Sequence, residues 1–221
     1  MNKSEITKRY IILIAGLFFI SMGIAFTKHA GLGVSPVSSV ANVFSCRYRF
    51  ITLGTWLTIS NCLMIVCQMI LLKRDFGLMR LLQFPVSILS GYFTDICLYF
   101  ISTIPADMYT IRIALILAGV VVLGLGISAT IIANVVVNPA EGIVQAIAIV
   151  SKKSFGDVKT IFDVSWVALS VVLSLILFDF RLEGVREGTI IAAVLTGFVV
   201  KFWNKLLTPM LNRFFAKKVT I

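Results

Sequence analysis

Seven polar residues interrupt otherwise apolar stretches of this chain: Ser35, Ser38, Asn61, Asn138, Glu141, Gln145 and Asp163. An amide or a charge held in lipid costs several kcal/mol unless it faces a partner or water, so each is a candidate for substrate or ion binding. Glu141 and Gln145 are four residues apart and share one face of a helix. Ser38 and Ser39 answer them in the first half of the sequence. Glu141 at a helix start suits a proton-coupled site, or a solute carrying an amine as well as a carboxylate. Simpler roles stand beside these. Glu141 can close a capping box with Asn138, and Asp163 can pair with Lys159 one turn earlier. Gln68, Asn42 and Asn134 suit interhelical hydrogen bonds, and Asp95 suits a structural ion pair with Lys201. Trp56, Trp166 and Trp203 read as packing or interface anchors.

Other chemistries lack their residues. His29 is the single histidine, and Cys46, Cys62, Cys67 and Cys97 have no CxxC spacing, so no metal site, disulfide set or cofactor is expected. There is no P-loop, HExxH or nucleophile elbow, and the chain is not read as an enzyme.

The candidate residues gather around two short segments, 34–46 and 137–151. Each opens with a polar residue and a proline, Ser35-Pro36 and Asn138-Pro139, which is an N-cap followed by a residue whose missing N–H costs nothing at the first helical position. At about 13–15 residues and 1.5 Å each, these helices reach only about 20 Å. A hydrocarbon core is about 30 Å thick, so both are predicted to be half-helices. Gly31, Gly33 and Asn134 before them favour a broken approach, tolerated at membrane depth where it lines a cavity or is covered by protein.

The two segments are copies of one another. Shifted by 103 residues, Arg9, Ala15, Gly16, Gly23 and Ile24 fall on Arg112, Ala118, Gly119, Gly126 and Ile127. Thr27, Ala30, Val34 and Pro36 meet Thr130, Ala133, Val137 and Pro139, and at a shift of 102 Gly54 and Thr58 meet Gly156 and Thr160. Six stretches are long enough to span a bilayer: 9–28, 53–72, 79–101, 111–132, 157–178 and 187–208. The predicted fold is therefore an all-α membrane protein of six transmembrane helices in two inverted three-helix repeats, 1–105 and 106–221, each with a half-helix.

Composition agrees. Of 221 residues 59% are hydrophobic and 14% charged, with a mean hydropathy of +1.01; soluble domains carry roughly 25% charge. The net charge of +10 comes from basic residues at the ends of apolar runs, where cytoplasmic loops and anionic headgroups select them. Lipid, and not nucleic acid, is the expected partner. Lys3, Lys8 and Arg9 before the first run imitate a signal peptide, but no cleavage pattern follows, and the run recurs at 112–130 as a retained helix. Six crossings place 14 Lys/Arg on the side of both termini and six on the other, so both termini are expected in the cytoplasm. Eight crossings give the same count, and segment length decides for six.

Gly23-Ile24, Leu32-Gly33-Val34-Ser35-Pro36, Leu53-Gly54-Thr55-Trp56, Pro139-Ala140-Glu141-Gly142 and Phe155-Gly156 resemble the YczE/YitT-like family of bacterial inner-membrane proteins. The resemblance covers nearly the whole chain and implies a multi-pass protein of the bacterial cytoplasmic membrane. Members of that family often carry an aromatic-acidic pair after the first proline. This chain has Val37-Ser38 there and keeps an acid only as Glu141. The resulting expectation is a small transporter for a small molecule or ion, its site at the repeat interface near the bilayer midplane, and a homodimer is compatible with it. Two rivals are the substrate-capture subunit of an energy-coupling vitamin transporter and a membrane scaffold or regulatory partner that transports nothing.

Overall fold

The computed structural model describes residues 3–216, which fold into eight α-helices. These are α1 (Lys3–Ala30), α2 (Pro36–Arg47), α3 (Leu53–Leu72), α4 (Gln83–Ile101), α5 (Tyr109–Ala133), α6 (Pro139–Ser151), α7 (Phe155–Leu177) and α8 (Glu187–Ala216). Two 3-10 turns, Lys73–Asp75 and Leu78–Leu82, join α3 to α4. Six helices are long and apolar enough to cross a membrane, at the positions the sequence predicts. Their outward surface carries Ile11, Ile70, Ile88, Val164, Ile176 and Phe198, all exposed. So wide an apolar surface is stable only against lipid.

The short helices are α2, of 12 residues, and α6, of 13. The Lys28 ammonium, near the end of α1, bonds Ser45 Oγ and Cys46 Sγ at the end of α2 at 3.1 and 3.2 Å. The chain that left through α1 has therefore returned to the same end, and α2 does not span. The break before it is built on Gly31 (φ +70°) and Gly33 (φ +110°). At Gly33 the start of α8 also leaves no room for a side chain: a Cβ would clash with Thr189 Oγ1 and lie 3.0 Å from Thr189 N and 3.1 Å from Arg186 N. In the second half Asn134, at φ 49°, takes the left-handed position. Asn tolerates that conformation better than most side chains.

The two helix starts are capped differently from the sequence reading. Asn138 does cap α6, accepting from Ala140 N at 3.3 Å. Ser35 occupies the N-cap of α2 without a side-chain cap bond; its hydroxyl meets that of Ser38 at 2.9 Å. The second half of a capping box is missing: among the described residues no hydrogen bond joins the Glu141 carboxylate to Asn138 N.

At the centre α1 and α5 run antiparallel in close contact. A Cβ on Gly23 would lie 2.6 Å from Gly119 O, and one on Gly126 would lie 2.6 Å from Gly16 O. Lipid tails solvate apolar side chains as well as a neighbouring helix does, so helices in a membrane gain by close backbone approach, which only small residues allow. α4 flanks α1, and α8 flanks α5. α2 lies against α3 and α7, and α6 against the same two helices.

Candidate functional site

The first turns of α2 and α6 both border one apolar cluster, and apolar side chains fill the space between them. Met64, Ala140 and Ile143 form a buried cluster there, and Val37 and Trp166 pack onto it. Trp166 Nε1 donates to Val37 O at 3.1 Å, tying α7 to the first turn of α2. The polar groups lie on either side of this plug rather than within it.

On one side stands Lys28. Its ammonium donates to Asn42 Oδ1 at 2.6 Å, and Asn42 Nδ2 donates to Gly184 O at 2.6 Å, so α2 binds both the end of α1 and the α7–α8 loop. Ser174 fixes that loop through Arg181 O, Glu183 O and Glu183 N. Between these elements opens a cavity of about 540 Å³ lined by Lys28, Ser45, Arg49, Thr52, Leu98 and Glu183, among others. Two cations face one carboxylate there, giving the cavity a net positive charge. Lys28 Nζ donates to three neutral groups, on Asn42, Ser45 and Cys46.

On the other side stands Arg80, in the α3–α4 connection. It donates to Gln145 Oε1 at 3.0 Å and to Gln68 Oε1 at 3.4 Å. Gln68 and Gln83 are fully buried and exchange amide hydrogen bonds, and Gln68 Nε2 also reaches Pro139 O at 3.2 Å. Asn42 and Gln145 are 103 residues apart, the repeat offset. Each half-helix thus presents an amide oxygen at the same place, and each holds a cation with it, on opposite sides of the plug.

The candidate residues therefore divide. Ser35 and Ser38 pair with each other, and Asn138 caps α6. Gln145 joins the Arg80 network. Asp163 is held by Lys159 at 2.7 Å, and no hydrogen bond links it to Asn61 among the described residues. Glu141, half-buried, is electrostatically coupled to both Lys159 and Asp163. Asp95 does not pair with Lys201: its Oδ1 accepts from Gly54 N at 2.8 Å, a carboxylate at the positive start of α3. Sequence reasoning did not single out Lys28, Arg80 or Gln83, because at the ends of apolar runs they look like ordinary interfacial residues. The equivalence of Asn42 and Gln145 was the available signal. Trp203 Nε1 donates to Val121 O, and Trp56 stacks on Phe44 with its Nε1 buried and unpartnered among the described residues.

The uncharacterized membrane protein YczE of Bacillus subtilis (strain 168) is similar, 26% identical over 220 residues, covering 98% of this chain and 94% of the relative. The uncharacterized protein YyaS of the same organism is 23% identical over 211 residues, covering 95% and 97%. No solved structure matches. Residues 7–205 match the family of unknown function DUF6198. The chain is a several-span membrane protein and belongs to the DUF6198 family.

Proposed function

We propose that the protein is a transporter for a small anionic or zwitterionic solute, without catalytic chemistry, built from inverted repeats 1–105 and 106–221. The observation that carries this reading is the reciprocity of contacts between the halves. Gly16 meets Gly126 and Thr130, while their repeat mates Gly119 meets Gly23 and Thr27; Gly23 meets Leu123, while Gly126 meets Ile20. A contact between one residue and the image of a second, matched by its converse, is what a two-fold relation requires. Because α1 and α5 are antiparallel, such an axis lies across them, in the membrane plane. Inverted repeats with broken helices are a common transporter construction, their site at the repeat interface. Lys28 with Arg49 on one side, and Arg80 on the other, supply positive charge along a route past the half-helices and favour an anionic group. The Lys/Arg distribution favours both termini in the cytoplasm of a bacterial cell.

The test is counterflow in proteoliposomes with labelled phosphate, small carboxylates and amino acids. Saturable exchange of an anionic or zwitterionic solute, weakened by Lys28→Met, is expected. Exchange of cations alone, or none of the panel, would overturn the reading. The apolar plug at the half-helix junction favours a second reading, a membrane scaffold, to which that last result would lead.

A further inference from the structure

The halves correspond at each extensive helix contact but one. α1 packs on α4 as α5 packs on α8, α2 on α7 as α6 on α3, and α2 on α3 as α6 on α7. The exception is α3 on α4, whose counterpart would be α7 on α8; those two helices make no comparable contact.

The α3–α4 contact is a specific seam between the first turns of α3 and the middle of α4. Gly54 and Gly91 touch backbone to backbone, leaving no space for a Cβ on either. Thr58 Oγ1 donates to Gly54 O at 2.9 Å and reaches Ser87 O on α4 at 3.2 Å. Asp95 accepts from Gly54 N.

The second half keeps the parts of this seam unmated. Gly156 and Thr160 on α7 correspond to Gly54 and Thr58, and Thr160 Oγ1 makes the same bond to Gly156 O, at 3.0 Å. On the fourth helix of each half the offset is 106, so Gly91 corresponds to Gly197 and Asp95 to Lys201. A Cβ on Gly156 or on Gly197 would meet nothing within 4 Å. The acid of the seam has changed sides: Lys201 replaces Asp95, and Asp157 stands on α7 where α3 has Thr55. Asp157 and Lys201 are both exposed.

We infer that the structure is one of two exchangeable states, and that in the other α7 closes on α8 through Gly156 and Gly197 while α3 and α4 part. In that state Lys201 pairs with Asp157 in place of the Asp95–Gly54 bond. The loop ends serve as hinges. α8 is held at its start by Gly188 N donating to Leu32 O at 2.8 Å, and the α3–α4 turn is held by the Arg80–Gln145 bond. Leu53 and Leu98, beside the seam residues Gly54 and Asp95, line the Lys28 cavity. Parting α3 from α4 therefore widens that cavity, and closing α7 on α8 seals the opposite side. This inference rests on the transporter reading and supplies its alternating step, since one repeat must move against the other around the site.

The experiment needs no solute, so its failure is separable from failure of the transporter reading. The full chain carries Cys46, Cys62, Cys67 and Cys97→Ser with Gly156→Cys and Gly197→Cys, is reconstituted in proteoliposomes and is oxidised with copper phenanthroline. An intramolecular disulfide is expected in a fraction of molecules. Gly91→Ala, or Asp95→Ala as the milder variant, should raise that fraction several-fold by weakening the α3–α4 seam. If the cysteine-free chain does not fold, a diazirine amino acid at position 197 of the otherwise native chain reads the same approach by capture of α7. Absence of an α7–α8 cross-link in all backgrounds would overturn the inference. So would cross-linking only between two copies, which would make these glycines an oligomer interface.

Discussion

Placing a methyl group on Gly23 tests the central antiparallel pair directly. An ideal Cβ there lies 2.6 Å from Gly119 O, from Leu123 N and from Leu123 Cβ. Two of these atoms are main chain and the third is the first side-chain carbon, so no rotamer change relieves the contact. Carbon-contact distances near 3.5 Å are restored only if α1 and α5 separate by about 1 Å. Overpacking of this kind costs about 1–3 kcal/mol. In a chain of this length each kcal/mol lowers the midpoint by roughly 2–4 °C, so Gly23→Ala should unfold about 2–12 °C below the wild type. Intrinsic tryptophan fluorescence in detergent reads that shift. Gly197→Ala is the internal control, because its Cβ meets nothing within 4 Å. It should leave the midpoint unchanged or raise it slightly, alanine being the better helix former by about 1 kcal/mol. Gly126→Ala should cost as much as Gly23→Ala, its Cβ lying 2.5 Å from Ile20 N and 2.6 Å from Gly16 O. The double variant should cost less than the sum, since helices already separated accommodate the second methyl. The reasoning fails if Gly23→Ala melts with the wild type, or if Gly197→Ala is equally damaging.

Cysteines at Lys28 and Arg47 should be labelled by an impermeant maleimide from the same face of the membrane; labelling from opposite faces would show that α2 crosses. Trp166→Phe deletes one half-buried hydrogen bond, to Val37 O, and should cost about 0.5–1.5 kcal/mol in thermal stability, with no loss meaning that this bond does not tie α7 to α2. Replacing Arg80 by Leu leaves Gln145 Oε1 without its donor, and should cost about 1–3 kcal/mol while the Gln68–Gln83 pair survives. Once counterflow is established, Glu141→Gln should alter its pH profile by deleting a titrating group while keeping its shape; an unchanged profile would confine Glu141 to a structural role.

Much of the architecture is local in origin and so was legible in the sequence. Spans and half-helices follow from counting apolar residues against bilayer thickness, and the half-helix starts from a proline after a polar residue. The repeat register marked Gly16, Gly23, Gly119 and Gly126, and close packing of helices is what the structure makes of them. What the sequence could not supply were partnerships between residues far apart along the chain. Asp95 looked like one member of an ion pair with Lys201, and only the packing of α3 against α4 brings it to the Gly54 N–H instead. Glu141 had the spacing of a capping box, but the bond that forms at this helix start is the one from Ala140 N to the Asn138 side chain. Lys28 and Arg80 resembled interfacial anchors until tertiary contact set each on a half-helix amide. The sequence determined by itself how many times the chain crosses and where it breaks, because hydrophobic length and backbone geometry are properties of short segments. The tertiary structure alone decided which polar groups meet and which of two equivalent helix pairs is closed, because those depend on distances between segments that no local pattern encodes.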